Sequence, residues 1–459
     1  MNTRRDFVKQ TGIISLGFLG LQQFACNRIR SREPIGYGAL VDDKDGILNL
    51  PPGFSYKIIS RQGSKMTDGF NLPGSADGMA TFLENGKTIL VRNHELSPGD
   101  MANGPFGASG EFLSQLNKDL LYDFGSGEMI GVGGTTTLVF DEKTQQVETE
   151  YLSLAGTIRN CAGGPTPWGS WVTCEETSAQ ADGIIEVDHG YNFEVKATSA
   201  VGLQKAHPLK AMGRFTHEAI AVDPATGIVY QTEDAGDSLI YRFIPENKGD
   251  LSRGRLQALM IAEHPSYVTR NWADQKTDLF PTNTPMKVEW IDMEEIDAPN
   301  NDLRLRGFDQ GAARFARGEG MWFGNGELYF ACTNGGKKNN GQIFRYQPSP
   351  YEGTSNEKKQ PGILELFIES EDSEILEHGD NLTVSPWGDV VVCEDKDATP
   401  RIVGITPEGQ LYHLAKNIGF ASEFAGVCFS PSGDTLFVNI QDPGLTVAIQ
   451  GPWKNKQVG

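Results

Sequence analysis

DNLTVSPWGDVVVCED, from Asp380 to Asp395, sets out a polar anchor, an apolar run, a Pro386-Trp387-Gly388 turn, a second apolar run and an acidic end. Two apolar runs on either side of a tight turn make a β-hairpin, and the first and last residues of a hairpin lie at the same end of its sheet. The same grammar recurs along the chain. It runs from Asp77 through Asn85-Gly86 to Glu95, and from Cys161 through Pro167-Trp168-Gly169 to Glu176. It runs again from His217 through Asp223-Pro224 to Asp234, from Glu319 through Asn325-Gly326 to Asn334, and from Glu423 through Pro431-Ser432-Gly433 to Asp442. Further strand-like runs follow at Ser238–Phe243, Gly341–Tyr346 and Arg401–Ile405. Three or four strands per unit, six times over, predict an all-β chain folded as a six-bladed β-propeller with short helical and loop insertions. A β-sandwich is the alternative, but its hairpins would not put every acidic end on one face.

Composition agrees with many short strands, since 459 residues include 54 Gly and 24 Pro. The formal charge of −20 excludes a nucleic-acid partner, which needs a basic footprint. Thr3-Arg4-Arg5-Asp6-Phe7, followed by a short apolar stretch from Thr11 to Ala25, reads as a twin-arginine export signal over residues 1–25. That stretch is too short and interrupted to span a bilayer. Residues 26–459 are therefore expected to form one propeller domain, carried by the Tat translocase to the periplasm or the extracellular space. Cys26, after Gln23-Phe24-Ala25, is a candidate lipid-anchor site that would leave the protein attached to a membrane. The other five cysteines are an odd number, which argues against a simple disulfide framework. Insertions are expected near 97–123, where Glu111–Leu121 fits one short amphipathic helix, and over the polar, irregular stretch 248–309.

With the first strand of each unit innermost, the anchors and ends converge on one mouth of the channel. Asn93, His94, Glu95, Cys161, Glu175, Glu176, His217, Glu218, Glu233, Asp234, Glu319, Asp380, Asn381, Glu394, Asp395, Glu423 and Asp442 would meet there. So many carboxylates in a confined space raise one another's pKa, and cations remove the conflict. The candidate metal ligands are Cys161, Glu218, Glu319, Glu95, Glu175, Glu176, Glu233, Asp234, Glu394 and Asp395. Oxygen donors suit calcium, and a thiolate among carboxylates admits a transition metal such as iron. Cys161 stands at an anchor where other units carry Glu218 and Glu319, so it reads as a ligand or as a buried thiol that begins a strand. Cys174, Cys332 and Cys393 end second strands and read as packing residues. Arg317 lies two residues before Glu319, on the same face of a strand. It reads as the catalytic cation that grips an oxyanion, or as a salt bridge. His94 and His217 read as ligands or as residues that orient a carboxylate.

These residues resemble the PhoX-type alkaline phosphatases, a family of exported bacterial proteins. The resemblance is carried by the twin-arginine start, RNHE (Arg92–Glu95), GGTTTL (Gly133–Leu138), NCAGGPTPWGSWVTCEE (Asn160–Glu176), GRFTHEA (Gly213–Ala219), TEDAGDSLIYRF (Thr232–Phe243), RGEGM (Arg317–Met321) and the Asp380–Asp395 stretch. It implies a six-bladed propeller holding ferric iron and calcium and hydrolysing small-molecule phosphomonoesters. It also implies that Cys161, Glu218 and Glu319 reach iron and that Arg317 meets the phosphate. One departure is Thr137, which follows the Gly-Gly-Thr-Thr run where the family tends to carry Asn. The rival readings are a calcium-stabilised propeller that serves as a binding scaffold without catalysis, and a calcium-dependent lactonase or esterase.

Overall fold

All six hairpins form. At two tips the turn chemistry is explicit: Asn85 and Gly86 take φ of 51° and 76°, and Asn325 and Gly326 take 56° and 80°. Two consecutive left-handed residues give the turn whose twist matches that of the flanking strands. The chain, in a computed structural model, is described over residues 35–127 and 129–456. The export signal and Cys26 lie outside the described residues.

The fold is all-β and propeller-like. One sheet holds Ala76–Glu84, Lys87–His94, Gly133–Asp141 and Gln146–Thr157, and the next holds Asn160–Pro165, Ser170–Glu175 and Asn192–Lys196. A nine-stranded sheet runs from His217–Val222 through Val229–Glu233, Ile240–Pro245, Gly254–Ile261 and Met286–Asp292. It then passes to Ile363–Glu369 and back through Gln342–Gln347 and Glu327–Cys332 to Gly318–Gly324. Gly379–Val384, Val390–Glu394, Arg401–Ile405 and Leu411–Asn417 form another sheet, joined at its edge by Leu48–Asn49. The last consists of Phe424–Phe429, Thr435–Ile440 and Leu445–Gln450, completed by Ser55–Arg61 from near the start of the described chain. The first strands pack side by side in sequence order, and Phe424–Phe429 returns to Ala76–Glu84. Apolar side chains such as Phe215, Tyr241, Phe330 and Phe344 fill the spaces between sheets.

Every first strand carries a register shift at the same place: between Ala76 and Met79, Asn160 and Gly163, His217 and Ile220, Gly318 and Met321, Gly379 and Leu382, and Ala425 and Cys428. A β-bulge bends its strand and re-aims a side chain. Here the repeated bulge takes in Asp77, Cys161, Glu218, Glu319 and Asp380. Its backbone is braced by the neighbouring hairpin. Asn93 donates to the carbonyls of Cys161 and Ala162, Thr232 to that of Glu319, and Asn439 to that of Asp77. Small residues let the strands come this close: a Cβ at Gly320 would stand 2.6 Å from the Asn381 Cα.

Two sequence expectations are corrected. Glu111–Leu121 is not one helix but two short 3-10 turns, Leu113–Gln115 and Lys118–Leu120. Asn117 between them is extended and caps the second with its side chain, which breaks the helix. The stretch 248–309 is not irregular throughout: it contributes Gly254–Ile261 and Met286–Asp292 to the large sheet and one α-helix, Leu303–Asp309.

Candidate metal centre

Each hairpin is closed at its open end by one backbone hydrogen bond, always from the residue that follows the second strand to the residue that precedes the bulge. The pairs are Glu95 to Ser75, Glu176 to Arg159, Asp234 to Thr216, Thr333 to Arg317, Asp395 to His378 and Gln441 to Glu423, at 2.9–3.3 Å. These residues form a collar around one mouth, with the bulge residues Asp77, Cys161, Glu218, Glu319 and Asp380 two positions further in. Four collar residues are left-handed without being glycine: Ser75, Arg159, Arg317 and His378 have φ of 44°, 49°, 50° and 49°. Such a conformation costs about 1–3 kcal/mol each and persists at functional sites where the surroundings hold it.

Within the collar, ligating atoms of Cys161, Glu176 and Glu218 lie within 4.8 Å of one another, and so do those of Glu218, Glu319 and Asp380. Glu218 belongs to both groups. Burial, with the charges of Glu176, Asp380 and Asp77, pushes its carboxyl well above the usual range. Glu319 is raised in the same way by burial, Asp234, Asp380 and Glu218. Burial and Glu95 lift Glu176 to about 8, and burial and Asp395 lift Asp380 to about 7. The Cys161 thiol is pushed up by burial, Glu218 and Glu176. Without a cation these acids repel one another at a high electrostatic cost. A thiol, several carboxylates and a raised proton affinity fit a metal that replaces those protons.

Other expected ligands are placed differently. Glu175 accepts from the backbone N–H groups of Ile158, Gly190 and Tyr191 and from His189 Nδ1 at 2.6 Å. Glu233 accepts from Leu239 N–H and Tyr241 hydroxyl. Glu394 accepts from the N–H groups of Glu377 and Arg401 and from the Arg401 guanidinium. These three are paired with protein groups and lie outside the two ligand groups. Of each acidic pair, the first residue turns outward and ties its strand to the start of the next, and only Glu176, Asp234 and Asp395 stand in the collar. Glu95 is a collar residue, bonded by Arg159 at 2.5 Å and by Gln441 at 3.1 Å.

The histidines lie outside the two ligand groups. His94 is buried between the Gly74 carbonyl and Thr136, each at 2.8 Å. His217 stacks on Phe215, bonds the Gly213 carbonyl, and is held near 3 by burial, so it stays neutral. Thr137 lies inside the third strand, opposite Val91 and Tyr151 and away from the mouth. Cys174, Cys332 and Cys393 are fully buried free thiols.

Arg317 does meet Glu319: its Nη2 is 2.9 Å from Oε1, and Nε and Nη2 reach the two oxygens of Asp234 at 2.8 and 2.9 Å. Sequence reasoning passed over Arg159, its counterpart in the second hairpin. Arg159 bonds Glu176 and Glu95. The signal was present, since Arg159 precedes Cys161 by the same two residues that separate Arg317 from Glu319.

A thiol, carboxylates and anchored arginines gathered at one mouth of a propeller-like ring define a protein with a polar, cation-attracting site. The model of the family described as Alkaline phosphatase PhoX matches residues 35–444. The chain belongs to that family. No curated protein matches it. Among solved structures it is similar to a gluconolactonase from Xanthomonas campestris, with 12% identity and a TM-score of 0.41 over 92% of this chain and 99% of the other. It is also similar to virginiamycin B lyase from Staphylococcus aureus, with 11% identity and a TM-score of 0.40 over 86% and 99%.

Proposed function

We propose that the protein is an exported phosphatase that hydrolyses phosphate monoesters at the collar. The observation that carries this reading is Glu218, shared between two groups of ligands so that two cations would sit side by side. Family membership supports the chemistry. The ring is read as six blades, the nine-stranded sheet being two blades joined through Met286–Asp292 and Ile363–Glu369. Cys161, Glu176, Glu218, Glu319 and Asp380 would hold iron, and the bulge acid Asp77 with the collar acids Glu95, Asp395 and Glu423 would hold calcium. Cations there would neutralise charge on the phosphoryl oxygens.

The rest of the work falls to the chain. Asp234 and Glu319 fix the Arg317 guanidinium, leaving its Nη1 without a partner among the described residues and free to donate to a phosphoryl oxygen. A void of about 20 Å³ lined by Gly78, Ala162, Gly320 and Trp322 lies beside the bulges and is too small to hold a phosphoester. Export by the Tat translocase to the periplasm, where such an enzyme releases phosphate for uptake, rests on residues 1–25. Lipidation of Cys26 would add a membrane anchor.

The test is an assay of protein purified from an exporting host, with elemental analysis of the same sample. Iron and calcium with turnover of an aryl phosphate are the expected result. A metal-loaded sample that hydrolyses a lactone and no aryl phosphate, or neither, overturns the reading.

A further inference from the structure

Arg159 and Arg317 are the two arginines of the collar, and they are copies of one device. Each precedes a bulge and accepts a backbone hydrogen bond from the end of its own hairpin: Glu176 N–H at 2.9 Å for Arg159, Thr333 N–H at 3.1 Å for Arg317. Each is left-handed, with φ of 49° and 50°. That conformation is disfavoured for any residue with a side chain, and it is paid twice, at equivalent positions. Each guanidinium reaches the collar carboxylate of the preceding hairpin: Arg159 takes Glu95, and Arg317 takes Asp234. Each then holds a second acid of its own hairpin, Glu176 or Glu319. Both are half exposed, 41% and 37%.

Their positions relative to the ligand groups are complementary. Arg159 holds Glu176, a member of the group that contains Cys161 and Glu218. Arg317 holds Glu319, a member of the group that contains Glu218 and Asp380. The hairpin of Glu218 stands between those of the two arginines, so the cations flank the shared ligand. In both, the Nε and Nη2 edge is occupied, by Asp234 and Glu319 for Arg317 and by the Glu176 backbone carbonyl and the Glu176 and Glu95 carboxylates for Arg159, and the Nη1 nitrogen makes no hydrogen bond among the described residues. A guanidinium cannot deprotonate at working pH, and its unused N–H groups remain donors.

The geometry points to Arg159 as a second anion-gripping residue, whose Nη1 donates to a non-bridging phosphoryl oxygen from the side opposite Arg317. The inference rests on the phosphatase reading and deepens it. A phosphomonoester dianion has three non-bridging oxygens, and donors on two sides of the site favour it over a diester, which has two and a single charge. No bond is made or broken by Arg159. Its contribution is electrostatic, with Glu95 and Glu176 holding the fork in place before substrate arrives.

The experiment compares metal-loaded wild type, Arg159→Ala and Arg159→Lys, with metal content measured on each. Inorganic phosphate is the probe, as a competitive inhibitor and by calorimetric titration. Arg159→Ala is expected to weaken phosphate binding about tenfold or more and to lower kcat/KM on an aryl phosphate by about a hundredfold, the size of one lost charged donor. Arg159→Lys is expected to keep the metals and recover little of the binding, because an ammonium lacks the planar fork. The ratio of monoester to diester turnover should fall in both variants. Unchanged phosphate affinity in a variant that retains its metals overturns the inference, and so does loss of metal in both variants, which would make Arg159 only a support for Glu176. Phosphate binding that depends on Arg159 in a wild type without turnover would instead remove the hydrolytic reading and keep the anion grip.

Discussion

Arg317 grips Asp234 with two parallel hydrogen bonds, 2.8 and 2.9 Å long, across 83 residues of chain. The pair belongs to neighbouring hairpins, so it fixes the arginine relative to the Glu218 unit as well as, through Glu319, to its own. Removing the guanidinium should therefore hurt the reaction more than the fold. Arg317→Ala is expected to keep its metals and to lose about a hundredfold in kcat/KM on an aryl phosphate. Arg317→Lys should recover little. Steady-state kinetics alongside melting curves check this, and wild-type turnover in Arg317→Ala would make the residue a structural ion pair.

Cys161 and Cys174 lie near each other in the second hairpin, the Cys161 sulfur 3.9 Å from the Cys174 carbonyl, yet only Cys161 joins the ligand group. Cys161→Ser is expected to lose iron and visible absorption, whereas Cys174→Ser keeps both. Elemental analysis and absorption spectra decide it. Equal iron in the two variants would remove Cys161 from the centre.

The metal-free protein should respond to pH in the direction opposite to a salt-bridged fold. Glu176 and Asp380 are raised to about 8 and about 7, so between the ordinary carboxylate range and those values the folded chain binds more protons than the unfolded one. Stability then falls as pH rises. With chelator present, the melting temperature is expected to drop from pH 5 to pH 8, and calcium or iron should restore it by binding only the folded state. A chelated protein whose melting is flat across that interval would contradict the clustering of these acids.

His189 lies between Glu175, at 2.6 Å, and Asp123, at 3.2 Å, all three buried. Burial opposes its charge, but Glu175 and Asp123 prevail and raise it to about 9. Its contribution to stability is complete below the ordinary histidine pKa and lost as pH rises through about 9. His189→Gln leaves two buried carboxylates short of a charge and is expected to destabilise by about 3–5 kcal/mol, read from denaturant unfolding.

What the sequence made legible was whatever local chemistry decides. Asn-Gly and Pro-Trp-Gly tips announce hairpins, and an apolar hairpin beginning and ending in acids places those acids at one end of a sheet. Which of two adjacent acids faces the mouth was not legible. That choice depends on register, and one extra residue reverses every side chain. Each bulge lies in the first strand of its hairpin, and nothing in Glu175-Glu176 or Glu394-Asp395 records how the second strand is set against it. The same holds for His94, whose partner Thr136 comes from the third strand of its sheet. The insertion helix failed for a local reason that could have been weighed, since Asn117 favours a cap over a helix interior.

The last sheet is completed by Ser55–Arg61, whose Ser55 pairs with Gln450, and Tyr37 donates to the Trp453 carbonyl across 416 residues. A contact between residues so far apart in sequence is the slowest kind to form, because the intervening chain must be ordered before it can close. The ring therefore stays open until Leu445–Gln450 reaches Ser55–Arg61. The collar, whose members come from every hairpin, takes shape only when the last strands meet the first, so assembly of the centre is timed by ring closure rather than by the folding of any one hairpin.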